Sequence, residues 1–309
     1  MQHTRRLLTG LLTLVPGGRR ITEGSPNELQ SARYCYWVWL RHLTLARNSG
    51  LRTQFDTVVE IGCGASLGVG LAALLTGSRH YYALDVLTYT APEENLKVLD
   101  ELVELFEARA PIPEGEYAPA ILPPASRDFP SDVLDDDRLA AGMAAGRIAA
   151  IRRALLEPGT DQDGITIEYQ PSWTALKRPA DLVLSQAVME HIPDFPGAYA
   201  SMHDALAPGG VVSHHIDFRS HHFARDWNGH WTFGDTEWRI VKGRRLYAIN
   251  RAPLHEHLAA LTAAGLRLVG VHRVTDASNL QRADLMPRFQ RMPDEDLVTG
   301  DALIQAVKD

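Results

Sequence analysis

The chain has 309 residues, 45% hydrophobic and 22% charged, with a formal net charge of −7 at pH 7, which suffices for one large α/β domain with additions or two small domains. An acidic balance argues against a general nucleic-acid or anionic-membrane surface, since either partner wants clustered Lys and Arg. Two cysteines, Cys35 and Cys63, make no disulfide framework, as expected in a reducing cytoplasm.

Arg5-Arg6 and the apolar run from Leu7 to Val15 look superficially like a secretory signal. Thr and Gly interrupt that run, no Ala-x-Ala site follows, and Arg19-Arg20 come next; the pattern predicts a short amphipathic helix stopped at Pro16-Gly17-Gly18. No stretch reaches bilayer-crossing length. Residues 31–47 predict an aromatic helix carrying Tyr34, Tyr36, Trp37 and Trp39, with Arg33 and Tyr34 as its polar members and candidates for a lid. Residues 1–50 are thus expected to form a helical extension ahead of a main domain spanning 51–309.

Residues 56–70 are the most informative stretch. An apolar strand (Val58, Val59, Ile61) runs into a turn with Gly62, Gly64 and Gly68, and a helical pattern (Leu67, Leu71, Leu74, Leu75) follows. Such a turn lets backbone approach a ligand closely, with free N–H groups at a helix N-terminus. A second strand, Tyr81 to Leu84, ends in Asp85, placed to accept both hydroxyls of a ribose. Glu60 sits two residues before Gly62, where its charge would oppose a dinucleotide's pyrophosphate but suits a cationic ligand. A nicotinamide dinucleotide is therefore the weaker alternative.

Beyond Asp85, residues 94–109 predict a helix with Leu96, Leu99, Val103 and Phe106 on one face. Six prolines between Pro111 and Pro130 imply an irregular excursion, and a helix over 138–156 returns to the sheet. Residues 88–160 are expected to build a cap over the substrate mouth or, alternatively, an oligomer contact that leaves a homodimer open. Strands are predicted at 165–169, 181–185, 211–217 and 266–271, with a turn at Ala207-Pro-Gly-Gly210 and a helix at 252–264. Strands alternating with helices call for an α/β fold with a parallel sheet and ligands at the strands' carboxyl ends. Trp227, Trp231 and Trp238 lie in a polar, glycine-bearing segment, suited to stacking on an acceptor or, alternatively, to plugging the sheet edge.

Together, Glu60, the glycine turn and Asp85 resemble the first two motifs of class I S-adenosylmethionine (SAM)-dependent methyltransferases. Asp181-Leu-Val-Leu-Ser185 with Glu190-His191-Ile192 resembles their strand-four signature, and Ala207–Gly210 their loop before strand five. From about residue 31 to 274 the chain resembles a group of these enzymes associated with saccharide or secondary-metabolite pathways. That likeness runs through the aromatic helix, Tyr81-Tyr-Ala-Leu-Asp-Val86, Phe129-Pro130, Ile167-x-Tyr169-x3-Trp173 and Ser213-His-x-Ile-Asp217-x-Arg-x-His221. Ser220 stands where relatives tend to carry Asp.

The resemblance implies a Rossmann-like, doubly wound, mostly parallel seven-stranded sheet and SAM as cofactor. It implies that Glu60, Gly62, Cys63, Gly64, Ser66 and Gly68 surround the donor's methionine end, with Asp85 and Val86 at the ribose. Gln186 falls near the methionine, and Trp173 either flanks the adenine or serves the core. Methyl transfer is an in-line displacement that needs aligned reactants and, for a hydroxyl acceptor, a proton acceptor. Histidine suits that role near neutral pH, and seven of the thirteen histidines fall between residues 191 and 230. His191, His214, Asp217 and His221 are the catalytic candidates. His214 and His215 point to opposite faces of one strand, and the resemblance favours His214.

No metal is needed in this reading. A divalent cation at Asp217 with nearby His or Glu is the alternative, and an iron site around His215-x-Asp217 lacks the usual β-barrel. The function expected is O-methylation of a small-molecule, saccharide or natural-product acceptor in the cytoplasm. N-methylation, a nicotinamide oxidoreductase and a catalytically silent scaffold are the competing readings.

Overall fold

The computed structural model describes residues 8–11, 13, 31–86, 91–112, 127–170, 172–245 and 247–309. Most of the N-terminal run, with Arg5, Arg6, Arg19 and Arg20, lies outside these residues, as do residues 113–126 of the proline-rich stretch. Among the described residues no helix is long and apolar enough to cross a membrane.

Seven strands make one sheet: β1 (Thr57–Ile61), β2 (His80–Leu84), β3 (Thr166–Gln170), β4 (Ala180–Gln186), β5 (Leu206–Asp217), β6 (Leu266–Thr275) and β7 (Thr299–Lys308). Their order is β3-β2-β1-β4-β5-β7-β6. The first five pair in parallel, and β7 runs antiparallel to both β5 and β6. Chain direction across the sheet reverses between β1 and β4, which opens a crevice at the carboxyl ends of those strands.

One face is covered by α1 (Ala32–Asn48), α2 (Gly68–Leu75), α3 (Pro92–Glu107), α4 (Asp136–Gly142) and α5 (Ala145–Leu156). These pack on Val58, Tyr81, Ala83, Leu182 and Leu184. The opposite face carries α6 (Phe195–Ala205) and α8 (Leu254–Ala263), packed on Val59, Tyr82, Val183, Val212 and Ile216. Between them in the chain, α7 (Asp235–Lys242) joins a smaller cluster with Phe223, Phe233 and Ile249. A last helical turn, α9 (Asp294–Leu297), leads into β7.

The aromatic helix α1 starts at Ser31, whose side chain accepts from Tyr34 N. Its stripe is core: Trp39 Nε1 donates to Thr76 Oγ1 at 2.8 Å and the Tyr36 hydroxyl to Ala110 O at 2.7 Å. The helix predicted over 138–156 is two helices. A Cβ on Gly142 would sit 1.9 Å from Leu75 O, so the chain breaks where it passes against the end of α2.

Residues 88–160 do something other than cap the crevice where they are described. Val98, Leu99, Leu102 and Phe106 of α3 and Ile151, Ala154 and Leu155 of α5 are buried in the main core. Both helices are the crossover layer between β2 and β3. Asn95 of α3 bonds to the glycine turn, where it accepts from Leu67 N at 2.7 Å and donates to Ala65 O at 3.1 Å.

Residues 207–210 are a bulge within β5 rather than a separate turn, because pairing with β4 jumps from Ala180–Leu206 to Leu182–Val211. Neither α6 nor β7 is singled out by the sequence patterning. From Thr299 to Val307 every residue of β7 is buried, so no alternation marks the strand.

Candidate active site

The donor half of the crevice follows from one βαβ unit. Gly62 and Gly64 hold φ of +72° and +61°, where side chains are strained. A Cβ on Gly62 would also lie 2.5 Å from Val188 Cγ2, whereas nothing lies within 4 Å of one on Gly64. Gly62 N donates to Leu84 O at 2.7 Å and Gly64 N to Asp85 Oδ2 at 2.9 Å. The turn is thus tied to β2, with the Asp85 carboxylate at its mouth.

Glu60 is buried beneath that turn and accepts from the Tyr81 hydroxyl at 2.6 Å. Burial pushes its carboxyl up to about 7, Tyr81 opposes the shift and the charge of Asp85 adds to it. A cation arriving beside Glu60 would favour the carboxylate.

The structure separates the remaining cofactor candidates. Cys63 is buried in the turn, and burial pushes its thiol well up, so it serves as packing rather than as a nucleophile. Ser66 and Gly68 face α1 instead of the crevice: Ser66 Oγ lies 3.5 Å from Cys35 Sγ, and a Cβ on Gly68 would meet that sulfur at 2.4 Å. Their part is to let α1 and α2 approach. Val86, 82% exposed, follows Asp85 at the rim. Trp173, in the helical turn Trp173–Ala175 after β3, packs half-buried against the α6/α8 side of the sheet.

At the end of β4, Gln186 is the hub between the halves. Its Oε1 accepts from Arg41 Nη2, the Tyr34 hydroxyl bonds to it, and its Nε2 donates to His215 Nδ1 at 3.1 Å. His215 Nε2 in turn donates to Asp301 Oδ1 at 2.9 Å. This chain of donors fixes the Nε2–H tautomer of a buried imidazole whose pKa burial lowers. Arg41 is fully buried with its guanidinium 4.4 Å over the Trp37 ring. Its Nε and Nη1 have no hydrogen-bond partner, and burial lowers its pKa to about 10. Arg41 was not among the candidates. The available signal is its position four residues after Trp37 and seven after Tyr34 on one helix stripe, where a lone charge needs a reason.

The acceptor half gathers distant segments. Glu190 and His191 lie on the short helical turn Met189–His191 after β4, and Asp217 ends β5. His221 follows with φ +45° and His222 with φ +65°, a strained pair of the kind that clusters at functional loops. His221 Nε2 lies 3.2 Å from Asp217 Oδ2 and 4.0 Å from Glu190 Oε1, and the His191 and His221 rings are 5.0 Å apart. Burial lowers His191 to about 4, and neighbouring His221 adds to the shift. Burial raises Asp217, but His221 and Arg219 outweigh it and hold the carboxylate down at about 2. Glu190 is pushed well up by burial. Neither of its oxygens is in good hydrogen-bond geometry; the backbone N–H groups of Glu190 and Asp217 lie close by.

Of the four catalytic candidates, His191, Asp217 and His221 come together and His214 does not. His214 points into the opposite layer, with Nδ1 2.9 Å from Ser185 Oγ and Nε2 3.1 Å from Met202 Sδ. Burial lowers its pKa to about 3. The neighbour that faces the crevice side is His215, the reverse of the preference drawn from the resemblance. Two of the three tryptophans are core: Trp231 is fully buried and donates to Arg251 O at 3.0 Å, and Trp238 sits under the Arg251 guanidinium at 4.9 Å; Trp227 is half-buried and donates to Ala277 O at 2.9 Å.

Comparison with known proteins gives the family. A model of the methyltransferase domain matches residues 32–269. No curated protein matches the sequence. Among solved structures, an S-adenosylmethionine-dependent methyltransferase from Mesorhizobium loti is 17% identical, covering 85% of this chain and 95% of that one with a TM-score of 0.43. The N-methyltransferase NodS from Bradyrhizobium japonicum, in complex with S-adenosyl-L-homocysteine, is 13% identical over 100% of this chain and 99% of that one, TM-score 0.40. The chain belongs to the class I SAM-dependent methyltransferases, with SAM as its cofactor.

Proposed function

We propose that the protein methylates a hydroxyl oxygen of a small-molecule acceptor, with a saccharide or natural product as the substrate class. SAM lies across the β1/β4 crevice, its ribose hydroxyls on Asp85 and its sulfonium end toward Glu60 and the glycine turn. Arg41, with two unpartnered guanidinium nitrogens beside Gln186, is the group for the donor's carboxylate. The acceptor then enters over the Met189–His191 turn and the end of β5.

The observation that carries the oxygen reading is the meeting of His221 with Asp217 at 3.2 Å. A neutral amine acceptor needs its proton removed only after transfer, whereas a hydroxyl is a poor nucleophile until its proton is engaged. A carboxylate held against an imidazole orients it and stabilises its protonated form, which is what a base for a hydroxyl requires. Proximity of the aligned donor supplies the larger share of the rate. Helix α1 serves this site by bringing Tyr34 and Arg41 to Gln186.

Incubating the full chain with methyl-labelled SAM and fractionated host extract tests the proposal. Label in an O-methyl ether with stoichiometric S-adenosylhomocysteine is the expected result. Label on nitrogen would overturn the oxygen assignment, and SAM binding without any turnover across all fractions would favour the scaffold reading.

A further inference from the structure

Three side chains on the acceptor side offer donor atoms that lie within 4.8 Å of one another: Glu190, His191 and His221. Glu190 is only 3% exposed, and no side chain hydrogen-bonds either of its oxygens. His191 Nδ1 has no partner either, while the ring is turned toward the backbone carbonyls of Tyr247 and Ala248. One nitrogen of each imidazole thus lies within 4.8 Å of a Glu190 oxygen. Orientation of an imidazole by a backbone carbonyl is the usual outer support of a metal-ligating histidine. The turn that carries Glu190 and His191 is itself clasped by Asn250, whose Nδ2 donates to Met189 O at 2.8 Å and Ile192 O at 3.0 Å. A buried carboxylate and two imidazoles, converging without satisfying one another, are costly unless something else pairs with them.

We infer that Glu190, His191 and His221 form a binding site for one divalent first-row transition ion, which takes the acceptor's reacting oxygen as a further ligand. The inference rests on the oxygen-methylation reading only for that last ligand. Two imidazoles with one carboxylate suit Mn²⁺, Fe²⁺, Co²⁺ or Zn²⁺, whereas Mg²⁺ prefers an all-oxygen shell. Bonds of about 2.0–2.2 Å place donor atoms about 3–3.5 Å apart, so the three side chains need to close by about 1 Å. Asp217, 3.2 Å from His221 Nε2, flanks the site and adds negative charge for the cation. This cluster differs from the Asp217-centred one that the sequence suggests, because Glu190 and His191 approach from the end of β4.

The His221 nitrogen that faces both Glu190 and Asp217 is Nε2, so a bound ion would replace the His221–Asp217 contact and the base role would pass from His221 to solvent. With the ion in place the acceptor O–H gives its proton to water, and the bound oxygen keeps the electron pair. That pair forms the O–CH3 bond as the S–CH3 bond breaks, and its electrons return to a neutral thioether sulfur. The ion's part is to lower the pKa of the hydroxyl.

The untagged full chain, stripped with chelator, is titrated with Mn²⁺ and followed by the electron paramagnetic resonance of free ion, and with Co²⁺ by visible absorption. Saturable uptake of one ion per chain is expected. Glu190→Gln, which keeps side-chain shape, should weaken Mn²⁺ binding by about tenfold or more, and a double variant His191→Ala/His221→Ala should abolish saturable uptake. SAM affinity by calorimetry should stay within about twofold in folded variants, since no donor contact is removed. Absence of saturable uptake by the wild type, or unchanged uptake by Glu190→Gln, overturns the site; if the double variant does not fold, Glu190→Gln decides. A chain that binds SAM but no Mn²⁺ loses only the cation site, whereas one that binds Mn²⁺ but no SAM contradicts the methyltransferase reading instead.

Discussion

On the donor side of the crevice, Glu60, Gly62, Gly64 and Asp85 come from a single βαβ unit and are tied by short-range bonds such as Gly64 N to Asp85 Oδ2. On the acceptor side, Glu190, His191, Asp217 and His221 arrive from the ends of two strands and the loop beyond, with Asn250 and Tyr247 behind them. The first half presents main-chain geometry and two carboxylates. The second presents convergent side chains in which both Glu190 oxygens and His191 Nδ1 lack a hydrogen-bond partner. A binding surface for an invariant cofactor is well served by local covalent order, while a surface for a variable acceptor depends on tertiary packing. Substitutions should therefore separate cleanly into donor affinity and turnover.

The largest separation is expected at His221. His221→Ala should lower turnover by about 10²–10⁴-fold, the usual share of a placed base or its equivalent, with calorimetric SAM affinity unchanged. A parallel loss of SAM affinity would show that the two halves are not independent. Asp85→Ala should do the opposite: SAM binding weakens by about tenfold or more through loss of a charged acceptor for the ribose hydroxyls. Unaltered affinity in calorimetry would remove Asp85 from the donor site.

A pH series sharpens the same division. Glu60 is held near 7 in place of 4.5 by burial, against Tyr81. Between those values the folded chain keeps a proton that the unfolded chain releases. This contribution to stability is therefore present at low pH and lost as pH rises through about 7, by on the order of 3 kcal/mol. Donor affinity runs the other way, since a cation prefers the carboxylate: SAM binding should weaken about tenfold from pH 8 to pH 6. Glu60→Gln should flatten that profile, weaken SAM binding at pH 8 and raise the ligand-free melting temperature there. A profile as steep in Glu60→Gln as in the wild type would assign the proton elsewhere.

The smallest catalytic effect is expected at His214. Its bonds to Ser185 and Met202 and its complete burial make it a core residue, so His214→Ala should cost about 2–3 kcal/mol of stability. Turnover per folded molecule should stay within about threefold of wild type, because no crevice contact is lost; a collapse of turnover in a chain that still melts normally would return His214 to the site.

The contrast between neighbours His214 and His215 explains what could be read from sequence and what could not. Alternation along β5 requires that they face opposite layers. It cannot say which layer holds the site, because β5 is buried on both faces and apolar periodicity vanishes in such a strand. The glycine turn and Asp85 were readable because their partners are close in sequence. Glu190 was visible only as part of a family-like signature; its role depends on His221, some thirty residues away. Asp301, which fixes His215, sits in β7, a strand without alternation. Arg41 lay in plain view on an apolar stripe, but its meaning depends on Gln186, which only the folded sheet brings near. Trp231 and Trp238 show the opposite case: polar flanking residues suit either an acceptor platform or a plug, and the rings fill minor cores.

Asn250 closes a mechanical loop between the last third of the chain and the reacting end of the crevice. Its backbone N–H donates to Glu190 O at 2.6 Å while its amide grips Met189 and Ile192, and the next residue, Arg251, is anchored among Phe233, His230 and Asp235. Any strain on that arginine-centred knot is transmitted along one peptide unit to the Glu190–His191 turn. Substitutions in the knot, remote from the donor, should register as altered acceptor selectivity before they register as unfolding.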